Sequence, residues 1–404
     1  MCLTDIALQR WHIFRDLTPP FCILREEALR RNETWMSEFC HVFGVGLAPH
    51  GKTSMSPQVF KRQFDQGAWA ITLATPLQVR VARKLGIGRI ILANQLIEKA
   101  DISCLLKDMS GDADYEFYCL VDSLEGVKRL RRGCEQHPVG RPINVFLECG
   151  YAGGRTGCRN LESALEVAEA VKAASPLLSL AGIEAFEGLL QSAEASHGLA
   201  TVDALLQFCV KVAEECDQRE LFRTDSVILS AGGSAFYDRV SQCFHSANLR
   251  RSHKIILRSG CYLTHDAGIY AKSMVRIRDR VAASLNAASP SDALEVVGTV
   301  LSRPEATRAI VNFGRRDVGH DSGLPIPRYM CAPGQNRKSM DLKYTVAAIN
   351  DQHIHLTTPA EATLAVGDRV GFAISHPCTT FDKWKLVYVV DQHDQVIEAI
   401  TTIF

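Results

Sequence analysis

The chain has no excess of charge of either sign: 45 Lys and Arg stand against 45 Asp and Glu in 404 residues. That balance argues against nucleic acid or an acidic membrane surface as a partner. Runs of 18 or more apolar residues are absent, so no membrane span is expected. The opening residues, MCLTDIALQRWHIF, lack the basic stretch and apolar core of a secretion signal. Fourteen cysteines are present, yet none forms a Cys-x-x-Cys pair. Scattered singly, they read as reduced, mostly buried thiols of a cytoplasmic protein without structural disulfides. Internal repeats and low-complexity tracts are missing as well. A Gly-x-Gly-x-x-Gly loop after the first strand-like run is also missing, which weighs against an open dinucleotide-binding sheet.

What is present is a rhythm. From residue 43 to about 260, eight short apolar runs end in Gly, Pro, Asn, Asp or Ser: FGVGLAP, AWAITLAT, RIILAN, EFYCLVDS, INVFLECG, LSLAGIEAF, SVILSAGG and KIILRSG. Amphipathic stretches such as 76–86, 160–174 and 201–216 lie between them. Near-continuous apolar runs suit parallel strands covered on both faces. Eight strand-then-helix units predict an α/β fold with a (β/α)8 TIM-type barrel over residues 21–270. Beyond about 270 the pattern turns β-rich, with turn residues between runs. This predicts a C-terminal all-β domain, 271–404, joined by residues 1–20. Helical segments between 264 and 290 are expected to bridge the two.

In such barrels the reacting groups sit at the C-terminal ends of the strands. Lys52, in APHGKTSM, follows the first run. A lysine there can form a Schiff base once desolvated; the bland alternative is a solvated loop lysine. After the seventh run, SAGGSAF places Gly232 and Gly233 where backbone amides can approach an anion, with Ser234 adding a hydroxyl. Gly260 and Tyr262, after the eighth, complete this phosphate cup or, alternatively, close a strand end. Schiff-base lysine and phosphate cup together indicate pyridoxal 5'-phosphate. Arg155, among the glycines of ECGYAGGRTGC, is a candidate to face the cofactor ring, or an ordinary loop arginine.

Near the C-terminus, His376 and Cys378 stand two apart after a β-type run. In an extended backbone they project to one side, and an imidazole with a thiolate suits Zn2+ with positions left open. His353 and His355 share a strand face and read as structural.

These stretches, together with VNFGRRDVGHDSGLP and the closing HPC, resemble the D-serine dehydratase and D-threonine aldolase family, whose fold is that of alanine racemase. The resemblance runs over nearly the whole chain. It implies Lys52 as the cofactor-bearing residue, zinc on His376 and Cys378, residues before the barrel joining the β-domain, and a head-to-tail homodimer. The His-x-Cys form is that of dehydratase-type members. Departures from the family pattern are DQHIH near the metal position, Arg315 and Arg316 where relatives carry an uncharged residue and a lysine, and Phe186 where a tyrosine is common. Arg315 either favours an acidic substrate side chain or pairs with Asp317 or Asp321. The expected activity is elimination from a D-3-hydroxy amino acid such as D-serine, giving a 2-oxo acid and ammonia. The alternatives are retro-aldol cleavage, racemisation, or a non-catalytic pyridoxal phosphate carrier.

Overall fold

The computed structural model describes residues 6, 8–190, 195–281 and 283–404. It contains two compact units. One comprises Phe39–Lys52 and Gln63–Gly260; the other comprises Met1–Glu38, Thr53–Arg62 and Cys261–Phe404. Among the described residues no helix is long and apolar enough to cross a membrane.

The first unit is the expected α/β barrel. Its eight parallel strands are Gly46–Leu47, Ile71–Leu73, Arg89–Gln95, Glu116–Val121, Ile143–Cys149, Leu178–Ala185, Ser226–Ala231 and Ser252–Leu257. Each lies within or overlaps one of the eight apolar runs. The first and second are joined through a bridge between His50 and Thr72, with the Trp69 amide donating to the Leu47 carbonyl at 2.7 Å. Strand Leu178–Ala185 is buried at every position, as its unbroken apolar run requires. Capping residues in the sequence fix where helices begin. Thr75 accepts from the Gln78 amide ahead of Pro76, Ser123 from Gly126, and Asn160 from Ser163. Small residues, Ala48, Ala70 and Ala181, alternate with Tyr118 and Phe146 to fill the barrel core.

The second unit is a ten-stranded mixed sheet. Its central path runs Ile326–Cys331, Arg369–Ala373, Leu294–Glu305, Phe21–Arg25, Leu386–Val390 and Val396–Thr401. Phe21–Arg25 lies antiparallel to Leu294–Glu305 (Phe21 opposite Val297) and parallel to Leu386–Val390 (Ile23 opposite Tyr388). The division therefore differs from 21–270 and 271–404. The strand at 21–25, expected in the barrel unit, is central to the other sheet because its apolar residues pair there. Residues 261–270 and the short stretch Thr53–Arg62 go with the sheet unit too. Arg25 fixes the strand end: its guanidinium bonds Glu295 at 2.9 Å, the Tyr329 hydroxyl at 2.9 Å, and Asp394. One helix, Ile269–Val281, occupies the stretch expected to be helical.

Candidate active site

The first barrel strand runs through Ala48 and Pro49 to His50, and a single 3-10 turn, Gly51–Thr53, presents Lys52 to solvent. The His50 Nδ1 is buried and has no hydrogen-bond partner among the described residues. Burial, together with the charges of Lys52, Arg258 and Arg155, pushes His50 well below the usual imidazole range. It is therefore a neutral imidazole beside a lysine.

Behind these residues lies an ionic cluster that the sequence reading did not single out. Arg258, immediately after the eighth strand, is buried; it pairs with Glu184 and donates to the Ala185 carbonyl at 2.7 Å. Neither Arg258 Nε nor Glu184 Oε2 has a partner among the described residues. Burial, reinforced by Glu148 and Glu187, lifts Glu184 to about 8 against the pull of Arg258. Glu148 is raised by burial as well, and it accepts from the Thr156 hydroxyl at 2.6 Å and from Gln95. The signal that could have found them is a charged residue interrupting an apolar run, as in KIILRSG and LSLAGIEAF. Arg155 itself is exposed, its guanidinium 5.1 Å from the ring centroid of half-buried Phe186. Both residues line a small recess with Glu148, Tyr151, Thr156 and Leu189.

The glycine loop after the seventh strand has the conformation an anion cradle needs. Gly232 has φ +126°, and a Cβ there would come 3.2 Å from the Arg258 amide. Its donors are already engaged, however. The amides of Gly232 and Gly233 donate to the two carboxylate oxygens of buried Glu187, at 3.0 and 2.7 Å. Ser234 follows, half-buried. Gly260 ends the barrel unit, whereas Tyr262 is a buried residue of the sheet unit.

In the sheet unit, His376 and Cys378 do not lie on an extended strand as expected. Strand Arg369–Ala373 ends earlier; Pro377 is in the αR region, and Cys378 begins a one-turn helix, Cys378–Phe381. The bend nonetheless brings the side chains together. A hydrogen bond to Cys378, with Asp321 adding its charge, raises His376 to about 9. Cys378 is held well below the usual thiol range, first by Cys261 and then by His376 and Thr53. Asp321 accepts from His376 Nδ1 at 2.6 Å and from the Thr379 hydroxyl at 2.7 Å. No group of three or more His, Cys, Asp and Glu among the described residues is arranged to hold a metal. His355 is bonded to Arg308 and Asn350, and His353 is exposed. The exposed Arg315 contributes its amide to the Asn350 carbonyl. Arg316 pairs with Asp351.

Residues 293–390 match the family model of a putative serine dehydratase domain. A 3-hydroxy-D-aspartate aldolase of Paracoccus denitrificans is 25% identical over 312 residues, 77% of this chain and 75% of that one. Among solved structures, a D-threonine aldolase from Filomicrobium marinum superposes with TM-score 0.78 at 20% identity, covering 96% and 95% of the two chains. A D-threo-3-hydroxyaspartate dehydratase from Delftia sp. HT23 gives 0.73 at 18%, covering 96% and 98%. A metal-free cysteine-to-alanine variant of an enzyme of that name gives 0.75 at 18%, covering 98% and 99%. The fold is thus that of the alanine racemase-like class, a barrel followed by a β-sheet unit. Over 77% of its length the chain is similar to a 3-hydroxy-D-aspartate aldolase, and over residues 293–390 to the serine dehydratase domain.

Proposed function

We propose that this chain is a pyridoxal phosphate-dependent lyase that eliminates water, then ammonia, from a D-3-hydroxy amino acid to give a 2-oxo acid. The observation that carries the proposal is Lys52 at the end of the first barrel strand beside a neutral His50, with unused bonding capacity on buried His50 Nδ1 and Arg258 Nε. Those orphaned atoms fit a ligand that carries a ring and polar groups, while the glycine loop could take an anion only where Glu187 yields its amides. Lys52 would hold the cofactor, Arg155 and Arg258 would bear on its ring, and Gly232, Gly233, Ser234 and Gly260 would receive its phosphate. When bound, pyridoxal phosphate supplies an electron sink for negative charge at the substrate Cα. Lys52 Nζ, once released, moves the Cα proton. His50, being neutral, adds no positive charge that would oppose protonation of that amine.

His376 and Cys378 fit a metal of open coordination. The carboxylate of Asp321 accepts a hydrogen bond from His376 Nδ1, the usual support for a ligating histidine. The sulfur of Cys378 favours its charged form, the form a metal binds. Zinc held there would supply Lewis acidity to the departing β-hydroxyl.

Retro-aldol cleavage to glycine and an aldehyde is the second reading, favoured by the activity of the Paracoccus relative. Product analysis with D-serine, D-threonine and D-threo-3-hydroxyaspartate tests both. Ammonia and a 2-oxo acid in equal amounts are expected; glycine as the main product overturns elimination. Borohydride treatment followed by peptide mapping is expected to place the pyridoxyl label on Lys52, and a label elsewhere removes its role.

A further inference from the structure

Cys378 is not the only thiol at its position. The sulfur of Cys261 lies 3.6 Å from that of Cys378, within one unit of the structure. Thr53 Oγ1 touches both, 3.4 Å from Cys378 and 3.8 Å from Cys261, so the hydroxyl lines the two sulfurs up. Cys261 is buried, and Cys378 is partly open to solvent. Cys149 and Cys209 are also hydrogen-bonded to each other, but both are buried. The 261–378 pair differs in having one member that a small reagent can reach.

We propose that Cys261 and Cys378 form a reversible disulfide, a modification site that closes under a hydroperoxide when no metal occupies the Cys378 sulfur. The two sulfurs lie 3.6 Å apart, and a bond length of about 2.05 Å requires them to approach further. The Cys378 sulfur attacks the peroxide oxygen; the O–O bond breaks, leaving a sulfenic acid on Cys378 and an alcohol or water. The Cys261 sulfur then attacks the Cys378 sulfur, the S–O bond breaks, and water departs. Two thiols and one hydroperoxide thus give one disulfide, one alcohol and one water; the sulfurs lose two electrons and the peroxide gains them. A dithiol reverses the reaction. A sulfur in a disulfide cannot ligate a metal, so oxidation and metal loading exclude one another. That exclusion alone rests on the metal role proposed above; the cross-link stands on the sulfur contact.

The test uses the full chain, stripped by a chelator or loaded with zinc, and one equivalent of hydrogen peroxide. In the stripped protein, non-reducing peptide mapping is expected to find residues 261 and 378 linked, with two fewer free thiols per chain, both restored by dithiothreitol. Cys261→Ala is expected to carry oxygen on Cys378 instead. Oxidised Cys378 beside an alkylatable Cys261 in the wild type, or a different linked pair, overturns the disulfide. Equal cross-linking with and without zinc overturns the exclusion and, with it, the metal role of Cys378, while leaving the disulfide in place.

Discussion

Glu187 and a phosphate group cannot both own the amides of Gly232 and Gly233. The carboxylate takes one N–H with each oxygen, and a second anion beside it in a buried loop meets like-charge repulsion. Glu187→Gln removes the charge and keeps the shape. It is expected to tighten pyridoxal phosphate binding by roughly tenfold, about 1.4 kcal/mol, in an absorbance titration, while pyridoxal, which lacks the phosphate, binds unchanged. Weaker binding of pyridoxal phosphate instead would show that Glu187 supports the loop. Two adjacent glycines are by themselves most often a turn, and only their place after the seventh barrel strand singled out this loop. Its occupant was not legible, because Glu187 lies 45 positions earlier, after a different strand, and only closure of the barrel brings them together.

At the scale of elements, the barrel strands were legible because parallel strands buried on both faces leave unbroken apolar runs, as in INVFLEC and LSLAGIEA. Phe21–Arg25 has the same look, FCILR, and precedes an amphipathic helix, Glu26–Val42. Nothing local separates it from a barrel strand; its partners, Val297 and Tyr388, are far along the chain. For His376 and Cys378 the assumed backbone was wrong, since a proline in the αR region turns the chain where an extended run was expected, yet the two side chains still meet. Phe21–Arg25 sits between Leu294–Glu305 and Leu386–Val390. A fragment 271–404, the domain that the sequence pattern marks out, therefore lacks a central strand and exposes two unpaired edges. Expressed alone, it is expected to show no cooperative thermal transition by circular dichroism and poor dispersion in NMR spectra. A sharp transition would show that the strand is dispensable.

For the molecule as a whole, the buried carboxylates set a pH dependence. Glu184, at about 8 when folded against an ordinary value of 4.5, holds its proton more tightly in the folded chain. Its contribution to stability is complete below the unfolded value and is lost as pH rises through the window up to about 8. The melting temperature of the wild type is expected to fall more steeply between pH 5 and 8 than that of Glu184→Gln, as read by calorimetry; parallel profiles would refute the shift. The order of the segments also matters during synthesis. Phe21–Arg25 leaves the ribosome first, the barrel follows, and the strands that flank it come last. At about 5–20 residues per second, the nascent chain carries this strand unpaired for roughly fifteen seconds to a minute. Through that interval the apolar FCIL segment is a ready substrate for holdase chaperones. The yield of folded protein is therefore expected to depend on how fast the message between Phe21–Arg25 and its first partner, Leu294–Glu305, is translated.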